Sequence, residues 1–279
     1  MWALRGLRNG VLTTGWPARP DDYATATRGP ATLLTPSATV ASAADAARLC
    51  PTGAIGVAAS GEVRVDQGRC ILCGRCVATR PDVFGWSAGP GEAALSRAGL
   101  VVPGEETPEA LAAVTAGLRA RTRALRRSVH LRHVDTGSDG SEEWEILALL
   151  NPVYDIHRLG MFLTASPRHA DILLVTGPGA GGMAEPLRQT YEAMPDPKVV
   201  IAVGTDAVSG AIIGPSDAAA AATTGDGVGG IVPVDVWLPG SPPSPFAILS
   251  ALLLALNRLP AGPAARASSA SLAQRGGVR

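Results

Sequence analysis

The stretch Asp171-Ile-Leu-Leu-Val-Thr-Gly-Pro-Gly-Ala-Gly-Gly182 decides the fold of this chain. Its first half is a short apolar run, which is typical of a strand buried on both faces of a sheet. Its second half is a glycine-rich turn, after which a helix is predicted over about 183–193. A buried strand that leads through a turn into a helix is the repeating unit of a parallel α/β sheet.

The same pattern continues on both sides of this unit. Strands are predicted over 129–134, 198–204 and 231–238, and an apolar helix over 245–259 closes the series. A longer helix begins before them, because Thr107 is a good N-cap and Pro108 suits the first helical position. The predicted fold class is therefore α/β, with a parallel sheet in the second half of the chain.

The composition excludes several classes of protein. Among 279 residues, 46% are hydrophobic, which is enough for a sizeable core, and 24 basic residues balance 24 acidic ones. A chain without net positive charge has no global field that would hold nucleic acid. No apolar run reaches the roughly 18–20 residues that span a bilayer. We therefore expect a cytoplasmic protein whose contact with a membrane is peripheral.

All four cysteines of the chain lie between residues 50 and 76. Cys70, Cys73 and Cys76 form a C-x2-C-x2-C run, and Cys50 lies upstream and is followed by proline. In a reducing compartment such a group indicates a metal site and not disulfides.

The cysteine spacing matches half of a two-cluster ferredoxin. In bacterial ferredoxins the run C-x2-C-x2-C-x3-C-P occurs twice, and the fourth cysteine of each run binds the other cluster. Here Cys50-Pro51 corresponds to the end of a first run, and Arg80-Pro81 replaces the end of the second. The cysteines that remain are those that would share one cluster. The sequence thus predicts one [4Fe–4S] cluster, with a four-thiolate zinc site and free thiols as alternatives, on Cys50, Cys70, Cys73 and Cys76.

Two families are similar to the two halves of the chain. The cysteine-containing half, with Arg8-Asn-Gly-Val-Leu-Thr-Thr14, resembles the ferredoxin-like subunit of formate hydrogenlyase and related membrane-bound hydrogenases. The second half, over about 125–260, resembles the complex I 20 kDa (B-type) subunit family, which includes the small subunit of group 4 [NiFe] hydrogenases. The stretches that carry this second likeness are Asn151-Pro-Val-Tyr-Asp-Ile-His-Arg-Leu-Gly-Met161, 165–177, 191–204 and 232–243.

The resemblance implies that the chain is a fusion of two electron-transfer subunits. It implies a flavodoxin-like second half and a place in a membrane-associated NADH–quinone oxidoreductase-like or hydrogenase-like complex. The implied partners are a large catalytic-type subunit and other iron–sulfur or membrane subunits. We expect the chain to transfer electrons and to contain no catalytic residues of its own. The alternative is a structural or redox-sensing assembly module without a role in the electron relay.

The sequence departs from the second family at its terminal cluster. Hydrogenase relatives carry G-S-C-x-x-C at the start of the domain, where this chain has Asp139 and Glu142 in place of both cysteines. The third and fourth family cysteines correspond to Asp206 and Ser241. Oxygen donors are poor ligands for a [4Fe–4S] cluster, so this domain is not expected to hold one.

Two explanations of these four replacements remain open. In the first, the cluster was lost and polar residues line a pocket that holds water. In the second, Asp139, Glu142, Asp206 and Ser241 converge on a hard cation such as Mg²⁺ or Mn²⁺, which would suit a small enzyme site. The first explanation is preferred.

The predicted organisation has five parts. An irregular arm over 1–40 precedes a ferredoxin-like segment over 41–86. A linker with a helix over 87–124 leads to the α/β domain over 125–260. A polar tail rich in small residues, over 261–279, is expected to be disordered.

Overall fold

The structure, a computed structural model, describes residues 2–34, 45, 47–57, 61–104, 106–125, 128–210 and 227–259. Within these residues the strands form a five-stranded sheet, a three-stranded sheet and a two-stranded sheet. The tail predicted over 261–279 lies outside the described residues.

The first part of the chain builds the two small sheets. Its strands are β1 (Arg28–Leu33), β2 (Ile55–Val57), β3 (Val63–Asp66), β4 (Phe84–Ala88) and β5 (Val101–Val102). Strand β1 pairs with β4, and β3 lies between β2 and β5, with all pairs antiparallel. The helices of this part are α1 (Trp2–Asn9), α2 (Asp22–Ala26) and α3 (Arg75–Thr79).

The arm and the linker contain more regular structure than predicted. The segment over 1–40, expected to be irregular, contains α1, α2 and β1, and β1 joins it to the cysteine-containing segment through β4. The linker that begins at residue 87 includes β5 and Ala94, which exchanges backbone hydrogen bonds of 2.9 and 2.8 Å with Trp237. Packed backbone needs partners for its polar groups, and strand pairing supplies them here. Strand pairing therefore joins the arm to the ferredoxin-like segment, and Ala94 joins the linker to the α/β domain.

The second part of the chain is a parallel α/β domain, as predicted. Its strands are β6 (Val129–Asp135), β7 (Met161–Leu163), β8 (Ile172–Thr176), β9 (Val199–Val203) and β10 (Val236–Leu238). All neighbouring strands are parallel, and their order is β7-β6-β8-β9-β10. Counted within the domain this order is 2-1-3-4-5, which is that of flavodoxin-like folds. The predicted fold class is confirmed.

Helices cover both faces of the five-stranded sheet. They are α4 (Pro108–Thr122), α5 (Ser141–Ala148), α6 (Gly181–Ala193), α7 (Thr205–Ser209) and α8 (Pro245–Ala255). Residues of α5 and α8 pack on one face, and residues of α6 and α7 pack on the other. Every residue of α8 is buried, as expected for a helix that is apolar on all sides. In the described part of the chain, no helix is both long and apolar enough to cross a membrane.

The prediction of individual elements holds best for long apolar runs. Strands β6, β8 and β9 lie where the sequence predicts them, and α4 begins at Thr107, whose hydroxyl accepts from the N–H of Ala110 at 3.2 Å. Strand β10 begins at Val236 and not at Ile231, because Pro233 has no N–H for the ladder. The pattern does not predict β7 or α5, which are only three and eight residues long.

Candidate functional site

The four cysteines come from two neighbouring pieces of chain. Cys50 lies before β2, and Cys70 follows a 3-10 turn that leads out of β3. Cys73 lies in the next turn and Cys76 in α3. All four line one pocket, which Trp86 of β4 also lines. The structure thus brings together the set that the spacing predicts, and we call it the four-cysteine pocket.

Two backbone positions shape the loop that carries three of the cysteines. Leu72 and Gly74 have φ values of +56° and +75°. A side chain at Gly74 would be strained, and an added Cβ would lie 3.1 Å from Cζ2 of Trp86. The loop therefore wraps around the pocket with the indole of Trp86 packed against its backbone.

Backbone N–H groups point at two of the sulfurs. The N–H of Ala54 donates to Cys50 Sγ at 3.2 Å, and that of Ala31 donates to Cys70 Sγ at 3.4 Å. The hydroxyl of Thr52 lies 3.6 Å from Cys50 Sγ. Hydrogen bonds of this kind favour thiolates, and they tune the potential of a cluster that thiolates hold.

The surroundings lower the pKa of one cysteine and raise the pKa of two others. Burial opposes ionisation of Cys50, but hydrogen bonds from Thr52 and Ala54 outweigh it and lower its pKa. Burial raises the pKa of Cys70, and neighbouring sulfurs add to this effect. Burial and the nearby sulfurs raise the pKa of Cys76 to about 11. Four thiolates in this pocket would repel one another unless a positively charged group lay between them.

The arrangement of the sulfurs does not fit a single metal ion. Among the described residues, no group of three or more His, Cys, Asp or Glu side chains is arranged to hold one. A zinc ion needs its sulfur ligands about 2.3 Å from one point. A [4Fe–4S] cluster instead binds each thiolate through a different iron atom, and so accepts thiolates that are spread around a pocket.

The four-cysteine pocket is fixed directly on the α/β domain. The buried hydroxyl of Thr205 donates to the carbonyl of Cys70 at 3.0 Å and accepts from the N–H of Gly240 at 3.0 Å. Asp66, at the end of β3, receives two hydrogen bonds of 2.8 and 2.6 Å from Arg97. The Thr205 contacts hold the Cys70 loop against the carboxyl ends of β9 and β10, and the Arg97 pair joins the end of β3 to the linker.

The replaced cysteine positions lie at the carboxyl edge of the sheet, where doubly wound sheets bind ligands. Asp139 and Glu142 follow β6, Asp206 follows β9, and Ser241 follows β10. Asp206 and Asp139 both act electrostatically on Glu142, so these three carboxylates lie near one another, and we call them the carboxylate pocket. Ser241 is exposed, and no hydrogen bond in the described part of the chain joins it to the three carboxylates.

Glu142 is the buried member of the carboxylate pocket. Its side chain is 1% exposed, and Oε2 accepts a hydrogen bond of 3.1 Å from the hydroxyl of Ser141. Gly204, at the end of β9, packs against Oε1, and an added Cβ would lie only 2.5 Å from that atom. The φ of Gly204 is +93°, so both its conformation and its contact with Glu142 require glycine.

In the carboxylate pocket, the two more buried side chains have raised pKa values and the exposed one has a lowered pKa. Burial, together with the charges of Asp206 and Asp139, raises the pKa of Glu142 to about 7. Burial and the charge of Asp139 also raise the pKa of Asp206. Asp139 is exposed, and hydrogen bonds from Ser141 lower its pKa. No three of the described His, Cys, Asp or Glu side chains are arranged to hold a single metal ion, so the three carboxylates do not support the hard-cation explanation.

Sequence reasoning missed the residues that hold the Cys70 loop in place. Thr205 and Gly204 lie in a Gly-Thr-Asp turn after a predicted strand, and only the fold brings Thr205 to Cys70. The pair Asp66–Arg97 joins residues 31 positions apart in the chain. The glycine after β9 is the one signal that could have been noticed, because strand-to-helix turns often need a positive φ.

Comparison with known proteins gives a match in the α/β domain. The profile of the family described as "NADH ubiquinone oxidoreductase, 20 Kd subunit" matches residues 140–255. This range contains Glu142, Asp206 and Ser241, and it leaves all four cysteines outside.

Three curated relatives illustrate the similarity. The probable membrane-bound hydrogenase subunit mbhJ of Pyrococcus furiosus is 45% identical over 135 residues, which are 48% of this chain and 78% of the relative. Formate hydrogenlyase subunit 7 of Escherichia coli is 37% identical over 161 residues, 58% of this chain and 60% of the relative. NAD(P)H-quinone oxidoreductase subunit K 2 of a Cyanothece strain is 40% identical over 108 residues, 39% of this chain and 40% of the relative.

Proposed function

The chain belongs to the family of the NADH ubiquinone oxidoreductase 20 Kd subunit, and we propose that it is an electron-transfer subunit of a membrane-associated, complex I-like or group 4 hydrogenase-like oxidoreductase. Its redox centre is one [4Fe–4S] cluster. The observation that carries this proposal is that every cysteine of the chain lines one pocket. A chance set of four thiols would have no reason to share it. The ligands are Cys50, Cys70, Cys73 and Cys76.

The residues around the pocket fit such a cluster. When bound, the cluster accepts and releases single electrons, and its irons supply the positive charge that four crowded thiolates need. The N–H groups of Ala31 and Ala54 hydrogen-bond to sulfurs and favour the thiolate form. Trp86 lines one wall of the pocket, and Thr205 orients the Cys70 loop.

The α/β domain holds the electron-transfer part against a large catalytic-type subunit. Its relatives include subunits of a membrane-bound hydrogenase and of a formate hydrogenlyase. Large apolar side chains are exposed on and just after α5, and they suit a protein partner better than water. They are Trp144 (74% exposed), Leu147 (50%) and Leu150 (41%). Contact with the cytoplasmic face of the membrane is then made through partners.

The carboxylate pocket does not continue the electron path within this chain. Carboxylate and hydroxyl oxygens replace the thiolates that a second cluster would need, and oxygen donors hold such clusters poorly. The next redox centre therefore belongs to a partner subunit of the complex.

A redox titration of the protein in its native complex tests the electron-transfer role. We expect the cluster signal to appear and disappear reversibly as the potential is lowered and raised. We also expect the electron donor of the complex to reduce the cluster within the turnover time. The matched variant is Cys73→Ser, which should lose the signal, with Ser241→Ala as a control that should keep it. A cluster that accepts no electron from the donor would contradict the role.

A second role, as a redox-sensing or purely structural module, is favoured by one observation. In the described part of the chain, the apolar core next to the cysteines contains five buried residues, namely Ile55, Val63, Val65, Val83 and Phe84. Such a small core gains much of its stability from a bound metal group. An irreversible or absent reduction, combined with a large loss of stability on cluster removal, would favour this role.

A further inference from the structure

Glu142 is a buried carboxylate that has no counter-charge among the described residues. It is 1% exposed, and the hydroxyl of the neighbouring Ser141 donates a hydrogen bond to its Oε2 atom. No Lys, Arg or His of the described chain forms an ion pair with it. An ionised carboxylate in such a place is costly, because neither water nor a cation compensates its charge.

The groups that face Glu142 make its ionised form still less favourable, because they add negative charge or none. Asp206 on α7 and Asp139 on the preceding loop are both acidic, and both act on Glu142. Helix α8, which packs on α5, contains no ionisable side chain, and Gly204 of the β9 end contributes none. On α5 itself, Glu143 is turned away and accepts a hydrogen bond of 2.8 Å from Ser138. The charge that the described residues place around Glu142 is therefore negative, and a proton is the species that best relieves it.

A short series of contacts connects Glu142 with the four-cysteine pocket. The Oε1 atom lies against Gly204, and Gly204 is followed directly by Thr205. The hydroxyl of Thr205 donates to the carbonyl of Cys70 at 3.0 Å. Glu142, Gly204 and Thr205 are buried, and electrostatic interactions between buried groups are screened much less than in water.

We infer that Glu142 binds a proton when the neighbouring iron–sulfur cluster gains an electron, so that the carboxylate pocket couples electron transfer to proton uptake. This inference rests on the proposed cluster. A one-electron donor supplies the electron, which lowers the cluster charge by one. A proton from solvent converts the Glu142 carboxylate into a carboxylic acid, so the total charge of the two pockets stays constant.

The thermodynamics of this coupling is reciprocal. An electron on the cluster raises the proton affinity of Glu142, and a proton on Glu142 raises the electron affinity of the cluster by the same factor. Because the pKa of Glu142 is about 7, a small electrostatic change alters its protonation near neutral pH. The carboxylate pocket thus influences the reduction of the cluster in the four-cysteine pocket.

A redox titration at several pH values tests the inference. The full chain with its reconstituted cluster is titrated between about pH 6 and pH 8.5, with dithionite as electron donor and the EPR signal of the reduced cluster as readout. The midpoint potential should fall as pH rises. Uptake of one proton per electron changes the reduction equilibrium at most tenfold per pH unit, so the fall should not exceed about 59 mV per pH unit. In Glu142→Gln the midpoint should be independent of pH and close to the low-pH value of the wild type.

The matched control is Glu185→Gln, the same substitution on an exposed side chain of α6. It should keep the pH dependence of the wild type. A wild-type midpoint that does not change with pH would overturn the inference, and so would a dependence that Glu142→Gln retains.

Infrared difference spectra give a second readout that does not depend on turnover. Reduction should produce the carbonyl band of a protonated carboxylic acid, and the band should shift in D2O. It should be absent in Glu142→Gln and present in Glu185→Gln. A loaded protein without this band overturns the proton uptake alone, whereas a protein that binds no iron overturns the proposed function as well.

Discussion

The four-cysteine pocket and the carboxylate pocket differ in the atoms that line them. The first keeps four thiols around one pocket. The second has two Asp and one Glu at positions where the family resemblance places cysteines, with Glu142 buried, and the fourth such position is the exposed Ser241. Soft sulfur ligands retain iron–sulfur clusters, and hard oxygen ligands do not. One pocket therefore remains suited to electrons, and the other is suited to protons.

The hydrophobic cores of the two parts differ in size. Among the described residues, the core on one face of the parallel sheet contains 24 buried apolar residues, one of which is Leu174 of the central strand β8. The core beside the four cysteines contains five buried residues in the described part of the chain. Under the proposed function, the small part gains much of its stability from a bound cluster, whereas the α/β domain has enough buried apolar surface to fold without one.

The largest expected effect comes from replacing one cysteine of the four-cysteine pocket. Cys70→Ser should abolish cluster binding, because a serine oxygen is a poor ligand, and iron should fall from about four atoms per chain to near zero. The N-terminal part should then become sensitive to proteolysis while the α/β domain remains resistant. Asp206→Asn is the matched change in the carboxylate pocket and should leave the iron content unchanged. Equal iron loss in both variants would remove the distinction between the pockets.

The second effect concerns the core of the α/β domain. Leu174 is fully buried in β8, so Leu174→Ala should lower the free energy of unfolding by roughly 2–5 kcal/mol. Urea denaturation followed by near-ultraviolet circular dichroism measures this loss. Iron content in the absence of urea should not change, because the cysteines have their own small core. Iron loss in native buffer would show that the cluster depends on the larger core.

The third effect is a pH dependence of stability due to Glu142. Its pKa is about 7 in the folded chain against an ordinary value of 4.5, so the folded state binds the proton more tightly. The stabilisation by this proton is complete below about pH 4.5 and is lost as pH rises towards 7. Its upper limit is about 3 kcal/mol, from 1.36 kcal/mol per pKa unit. In Glu142→Gln this loss between about pH 5 and pH 8 should disappear, whereas Glu185→Gln should behave as wild type.

The smallest effect tests the contact that joins β9 to Glu142. Gly204→Ala should destabilise by about 1–3 kcal/mol, because the new Cβ would lie 2.5 Å from Oε1 and the φ is positive. Gly117→Ala on α4, where an added Cβ meets nothing within 4 Å, should instead stabilise by up to about 1 kcal/mol. Part of the loss at Gly204 should be recovered in the double variant with Glu142→Ala. No recovery would mean that backbone strain alone accounts for the loss.

Much of the α/β domain could be predicted because its strands are continuous apolar runs. Such runs belong in a sheet buried on both faces, and β8 and β9 have every residue buried. Strand β7 is different, since two of its three residues are exposed and its position depends on pairing with β6. Helix α5 begins with acidic and polar residues and shows little apolar periodicity. Both elements are set by tertiary contacts that the local pattern does not contain.

The two pockets also combine features that the local sequence predicts with features that only tertiary contacts determine. The grouping of the cysteines follows from spacing, because a C-x2-C-x2-C turn can present three thiols only to one side of the loop. The link from Cys70 through Thr205 to Gly204 joins residues more than 130 positions apart, and no local signal announces it. The burial of Glu142 could not be predicted either, because the sequence does not show which of the three carboxylates is buried. Only the fold distinguishes exposed Asp139 from buried Glu142.

The contrast between the two pockets is tested most directly by counting iron and sulfide in anaerobically purified protein, with low-temperature EPR of the dithionite-reduced sample. We predict about four iron atoms and about four sulfides per chain, with a single cluster signal that Cys70→Ser removes. About eight iron atoms would mean that the carboxylate pocket also holds a cluster. A chain without iron would remove the electron-transfer role altogether.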